Sequence, residues 1–336
     1  MALIGAAGHG NLGDDFIAHA AHSHISQFYP DAIVLAGSRN RLTVPTKSQS
    51  RLKFLLSDYD KVIIGGGGLF NDHWSLRYLR YFASVATAQR ARGGQLHIAG
   101  VGVEPIKTRT GAGLLRLILR LSHTISLRDQ ASVEICEDLL PRRAFELGED
   151  LAWLYRPNVT TASAESLVVT FAGEQAAQSL QRSQMLEQAL SKSHLARFSS
   201  LEFLAMQRQD DNLHDDAMEL NKLSAVLGYG KVTCPLEFAG AMSAISRAKM
   251  LVGFRLHAGV MAALLGVPTI MVARSNKVNW TLRDLPGVVI LNSQADAWDF
   301  NSAIETLANP DWQLHFRNIE SRRKAAAATL DRILAA

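Results

Sequence analysis

The stretch Gly253-Phe254-Arg255-Leu256-His257-Ala258-Gly259 sets a guanidinium and an imidazole two residues apart, where an apolar run gives way to small residues. The run 249–254 reads as a buried strand, and 258–266 as a helix closed off by Pro268. In an open α/β sheet such a hand-over lies at the carboxyl edge, where ligands bind. A helix start adds unpaired N–H groups and the positive end of a dipole, so an anion is favoured there. Alone, an R-x-H pair is more often a surface ion pair beside a helix cap. Further glycine-rich strand ends in the chain change those odds.

The first is Gly8-His9-Gly10-Asn11-Leu12-Gly13-Asp14-Asp15. Its glycines match G-x-G-x-x-G, and Ser38-Arg39-Asn40-Arg41 at the next strand end would suit an NADP 2′-phosphate, so an NADP-dependent reductase is one reading. Two carboxylates at the helix start would repel a pyrophosphate, and Asp14 is expected to cap the helix or to accept from a sugar hydroxyl. The second is Gly65-Gly66-Gly67-Gly68 followed by Leu69-Phe70-Asn71-Asp72, where four glycines allow close backbone approach and positive φ. Gly102-Val103-Glu104, Arg128-Asp129 and Glu149-Asp150 complete the set; each is ordinary alone, and only their shared strand-end location raises them. There is no G-x-S-x-G elbow, Walker A loop, H-E-x-x-H or zinc-type Cys/His spacing, and no metal is expected.

The elements that must position these groups alternate along 336 residues, long enough for two domains. Strands are expected at 3–7, 32–36, 61–64, 95–101, 124–127 and 144–147, with helices at 15–27, 75–92, 113–121 and 130–139 between them. After an aperiodic segment at 151–166, read as a linker, strands follow at 167–171, 198–206, 231–233, 249–254, 268–272 and 288–291. Helices are expected at 174–194, 213–227, 238–247, 257–265 and 295–307. This rhythm predicts an α/β protein of two Rossmann-like, doubly wound domains facing across a cleft. Their bounds are placed at 1–155 and 165–310, with a C-terminal helix over 311–336.

The composition, 48% apolar and 20% charged, supports sizeable cores. Two cysteines far apart suit a reduced, cytoplasmic setting. No signal peptide or membrane span is expected. A net charge of +4 comes from dispersed Lys and Arg with few aromatics, which excludes a nucleic-acid surface and suits small anionic substrates. The helix carrying Arg109, Arg116 and Arg120 among leucines, and the tail with Arg317, Arg322, Arg323 and Lys324, read mainly as solvated basic faces. The first of these also allows a peripheral contact with an acidic membrane face.

Taken in order, GHGNLGDD, VIIGGGGLFND, GVGVEP, SLRDQAS, GED and GFRLHAGVMAALLGVPTIMV with Lys277-Val278 resemble the polysaccharide pyruvyl transferase family over about residues 3–280. The resemblance implies a GT-B-like architecture. It also implies transfer of pyruvate from phosphoenolpyruvate to sugar hydroxyls as a ketal, in exopolysaccharide or cell-envelope biosynthesis. No cofactor is implied beyond phosphoenolpyruvate as co-substrate. The partners would be that donor and a sugar or lipid-linked acceptor. By resemblance the Arg255-Leu256-His257 segment belongs to the donor site, with His257 as the acid/base group; the residues add Asp14 as a second catalytic candidate and Arg208, Arg274 and Lys277 as further donor ligands. Asn11, Gly66, Gly67, Asp72 and Glu104 are placed on the acceptor side, in the N-terminal domain, with the donor on the C-terminal one. The family often has an Arg where this chain has Thr170-Phe171-Ala172-Gly173, and an aromatic-Asp-Pro stretch where it has Ala273-Arg274-Ser275-Asn276, so one anion ligand is either lost or moved to Arg274 or Arg208. A nucleotide-sugar glycosyltransferase on the same fold and a non-catalytic sugar-binding protein remain as other readings.

Overall fold

Short, mostly apolar runs form the strands of two all-parallel sheets. The computed structural model describes all residues but 38–41, 49, 51–53, 55, 56, 74, 159–164, 173–196, 209–214, 274, 275 and 336, and not the side chain of Ala297. The expected helix at 174–194, the Ser38–Arg41 stretch and Arg274 therefore lie outside the described residues. The first sheet comprises β1 (Ala2–Ile4), β2 (Ile33–Ala36), β3 (Thr46–Ser48), β4 (Lys61–Gly65), β5 (Gln95–Val101), β6 (Thr124–Leu127) and β7 (Glu146–Leu147), in the order β3-β2-β1-β4-β5-β6-β7. The second comprises β8 (Ser166–Thr170), β9 (Ser200–Leu204), β10 (Lys231–Thr233), β11 (Ala248–Gly253), β12 (Thr269–Val272) and β13 (Val288–Leu291), in the order β10-β9-β8-β11-β12-β13. Helices cover both faces of such sheets, which is why β4 is buried along its whole length.

In both sheets the strand order reverses once, between β1 and β4 and between β8 and β11. Such a switch point splays the neighbouring connections apart and leaves the carboxyl ends open for a ligand. The glycine loops after β1 and β4 and the Arg255 turn after β11 stand at these two places.

The α-helices among the described residues are α1 (Leu12–Ile25), α2 (Arg77–Ala91), α3 (Arg109–Leu121), α4 (Gln130–Leu139), α5 (Asp216–Leu227), α6 (Phe238–Ser246), α7 (Leu256–Leu265), α8 (Asn276–Leu282), α9 (Ala297–Thr306) and α10 (Trp312–Ala335). One core gathers Ile64, Phe70, Phe82, Ile98 and Ile118, and the other Val169, Phe171, Phe203, Val252 and Phe254. The chain forms two compact units: Met1–His9, Asp14–Tyr155 and Ser321–Ala336 in one, and Gly10–Gly13 with Arg156–Glu320 in the other.

Three differences from the sequence reading have physical causes. The segment read as the start of a linker opens with a 3₁₀ turn, Leu151–Leu154, whose Trp153 is fully buried in the first unit. A polar, exposed strand, β3, extends the first sheet, and no apolar alternation announces it. The tail arginines are not all solvated. Arg322 is buried and bonds both carboxylate oxygens of Glu149 at 3.2 Å, while Arg323 donates to the carbonyls of Trp153 and Tyr155, so the end of α10 is fastened to the first unit.

Candidate functional site

In the second unit, β11 ends at Gly253, and Arg255 adopts extended backbone as the residue preceding α7. Helix α7 packs against β11, β12, α6 and α8, so its apolar residues face protein on all sides. Of its ten residues, His257 alone is not buried. A helix that is apolar all round belongs to a core, and the single accessible imidazole on its first turn is the exception to be explained.

Arg255 is held in two places by one carboxylate. Its Nε donates to Asp216 Oδ2 at 3.1 Å and its Nη2 to Asp216 Oδ1 at 2.5 Å. Asp216, fully buried at the start of α5, also accepts from the amides of Met206 and Gln207 beyond β9. Arg208 follows on the same segment; it is exposed and makes no side-chain hydrogen bond among the described residues. Lys277 lies on the first turn of α8 and is half-buried. Nearby Cys234 is held as a thiol: burial, the largest cause, pushes its pKa up against the opposing Arg208, and Asp215 and Asp216 act in the same direction as burial. It is no thiolate nucleophile.

Gly10–Gly13 is part of this unit rather than of the sheet it follows. Leu12 N donates to Met206 O at 2.9 Å and Arg208 N to Gly10 O at 2.8 Å, with Asn11 opposite Gln207 in an antiparallel bridge. Gly13 then lies directly on His257, for a Cβ at Gly13 would fall 2.5 Å from the imidazole Nδ1. Asn11, not Asp14, caps α1, accepting from Gly13 N at 2.9 Å. Asp15 turns back to accept from Gly8 N at 2.6 Å. With the amides of Gly8, Leu12 and Gly13 already used, this turn offers a pyrophosphate little of what the dinucleotide motif normally supplies.

In the first unit, Asp14 points at the glycine loop after β4. Gly66 and Gly67 have φ of 72° and 75°, and a Cβ at Gly67 would meet Asp14 Oδ1 at 2.9 Å. The loop is zipped to the end of β5 by Gly66 N to Ala99 O, Gly102 N to Gly67 O and Glu104 N to Phe70 O. Gly5, Ala6, Asp14, Gly65 and Gly66 line a small cavity there. Glu104 pairs with His73 at 3.2 Å.

Asp72, expected on the acceptor side, anchors the chain ahead of α3. Its oxygens accept from Lys107 N, Thr108 N and Thr108 Oγ1 at 2.7–2.8 Å, fixing the approach to α3. Burial acts to raise its pKa, but those hydrogen bonds overcome it and hold the carboxyl below its usual range. Beneath the same edge the buried Arg128 bridges Asp129 at 3.3 Å and Asp150 at 3.4 Å, under Gly102.

Two parallel α/β units, each with its ligand edge at a switch point, make up the architecture of the GT-B transferases. The structure is similar to E. coli heptosyltransferase WaaC with ADP (TM-score 0.51, 14% identity, covering 91% of this chain and 99% of that one). It is also similar to Anabaena HepE in complex with UDP and glucose (0.59, 11%, 100% and 97%). A third similar structure is a Listeria monocytogenes protein described as a putative UDP-N-acetylglucosamine 2-epimerase (0.62, 10%, 99% and 95%). Comparison with curated proteins finds no match. The model of the polysaccharide pyruvyl transferase family matches residues 11–276, and the chain belongs to that family of transferases.

Proposed function

We propose that the protein transfers pyruvate from phosphoenolpyruvate to two hydroxyls of a sugar, forming a ketal and releasing inorganic phosphate, in the assembly of an exopolysaccharide or other envelope glycan. The single observation that carries this is the Arg255–His257 turn, an oriented guanidinium beside the one accessible residue of an otherwise buried helix. Phosphoenolpyruvate presents a phosphate and a carboxylate, and guanidinium forks and helix-start amides suit both. In the reaction C3 gains one proton, and two C–O bonds form at C2 as the C2–O bond to phosphate breaks. The two hydroxyls lose one proton each; one balances C3 and the other leaves with phosphate. His257 is assigned to one of these transfers.

Arg255, Arg208 and Lys277 are the described candidates for the donor. Asp14 and the Gly66–Gly67 loop are assigned to the acceptor, with Glu104 flanking. The second unit then carries the donor and the first the acceptor. The test is incubation with phosphoenolpyruvate and a panel of glycans, reading phosphate release and the mass of a pyruvate ketal. Arg255→Ala is expected to raise the KM for phosphoenolpyruvate by about tenfold to a hundredfold, the loss of a charge-assisted pair. An unchanged KM places the anion site elsewhere. HepE is solved with UDP and glucose, so turnover of a UDP-sugar without use of phosphoenolpyruvate would replace this reading with glycosyl transfer.

A lipid-linked acceptor would bring the protein to a membrane surface, although no described helix is long and apolar enough to cross one. Helices α2 and α3 pack together and contain no Asp or Glu. They expose Arg77, Arg80, Arg90, Arg109 and Arg120, with Leu117 39% exposed among them. Such a face suits anionic headgroups. The protein is expected to sediment with phosphatidylglycerol vesicles and not with phosphatidylcholine ones, and Arg109→Glu/Arg120→Glu to stay in the supernatant. Equal behaviour with both lipids would contradict this.

A further inference from the structure

We infer that Asp216 is the positioning residue for Arg255, so that the donor arginine works as a directed fork and not as a free surface charge; this rests on the pyruvyl-transfer reading above. Nothing in the R-x-H pattern points to this partner, which lies 39 residues earlier in the chain.

An arginine on a strand-to-helix turn has long, rotatable methylenes, and holding it toward a ligand costs side-chain entropy. Here two of its nitrogens, Nε and Nη2, are engaged by the two oxygens of one carboxylate. A contact at two points fixes the plane of the guanidinium, where a contact at one would leave it free to turn. The Nη1 edge makes no hydrogen bond among the described residues and is left for a ligand.

The carboxylate is itself immobile. Asp216 is 0% exposed, Oδ2 accepts from Met206 N at 3.2 Å and from Gln207 N at 3.0 Å, and the Asp216 amide donates to Gln207 O at 3.0 Å. Asp215 caps the same helix by accepting from Ala217 N at 2.8 Å. Arg255 is thus tied through one buried oxygen pair to the segment after β9 and to the start of α5. That segment also holds Gly10 and Leu12, and Gly13 packs on His257. A shift at Asp216 would reach the fork first and the imidazole second.

A purely structural ion pair predicts something different. It would lower stability on removal but leave donor affinity unaffected by the pair's geometry. The experiment is a double-mutant cycle on the full chain with phosphoenolpyruvate as the probe: wild type, Asp216→Asn, Arg255→Ala and the double variant, with KM, kcat and thermal unfolding for each. Asp216→Asn keeps size and loses the charge and one acceptor. It is expected to raise KM by about tenfold with a smaller change in kcat, and to add nothing once Arg255 is Ala, as coupled neighbours do. Arg255→Lys, which keeps the charge and cannot form the fork, is the second variant should Asp216→Asn fail to fold. It is expected to show the same rise in KM.

Additive effects in the cycle, or an unchanged KM in folded Asp216→Asn or in Arg255→Lys, would overturn the inference alone. A wild type that neither binds nor uses phosphoenolpyruvate would overturn the pyruvyl-transfer reading together with it.

Discussion

His257→Ala is expected to lower kcat for ketal formation by about 10²–10⁴-fold, the usual contribution of a positioned proton-transfer group, while the unfolding midpoint stays close to that of the wild type. The two halves of this expectation have the same source. Helix α7 is stabilised by nine buried residues packed on two strands and two helices, and His257 is the one that is not among them. Its removal opens no sealed cavity, because the imidazole is accessible to solvent, so the destabilisation typical of core truncation does not apply. The KM for phosphoenolpyruvate should change much less than kcat, because Arg255 remains bonded to Asp216. Turnover equal to wild type would remove His257 from the reaction. A large loss of stability would make it a packing residue.

Arg128→Ala should be the most destabilising single change among the residues discussed, by about 3–5 kcal/mol, the cost of leaving buried charge without its partner. The guanidinium is buried beneath Gly102 and contacts Asp129 and the fully buried Asp150. Asp150 would keep its bond to Ala152 N and Asp129 its bonds to Ser132, yet each would lose its ion pair with Arg128. The ends of β6 and β7 and the turn Leu151–Leu154 would be left around uncompensated carboxylates. Urea unfolding measures the difference. A loss below about 1 kcal/mol, within the range of an exposed pair, would show that water reaches the site.

What the sequence made legible is what has a local signature. Short apolar runs alternating with helical patterns marked the strands, so β5, β6, β10 and β13 lie where the pattern put them. The turn at Arg255 was legible for the same reason. What it left unread depends on partners distant in the chain. Asp216 sits in the run Asp210-Asp211-Asn212-Leu213-His214-Asp215-Asp216, where periodicity cannot single out one carboxylate as buried. The basic positions on α10 show which residues could be exposed, but Glu149 decides that Arg322 is not. The glycine motif after β1 suggested a phosphate cradle because its spacing is right. Its amides are taken by Asp15, Met206 and Asn11, and spacing says nothing of that.

The measurement that tests the central claim most directly is calorimetric titration of the purified protein with phosphoenolpyruvate, with NADPH and a UDP-sugar panel in parallel. Saturable binding of phosphoenolpyruvate, weakened in Arg255→Ala, is the predicted result. Silence with phosphoenolpyruvate and heat with a UDP-sugar or NADPH would contradict it, leaving the fold in place and the pyruvyl donor without support.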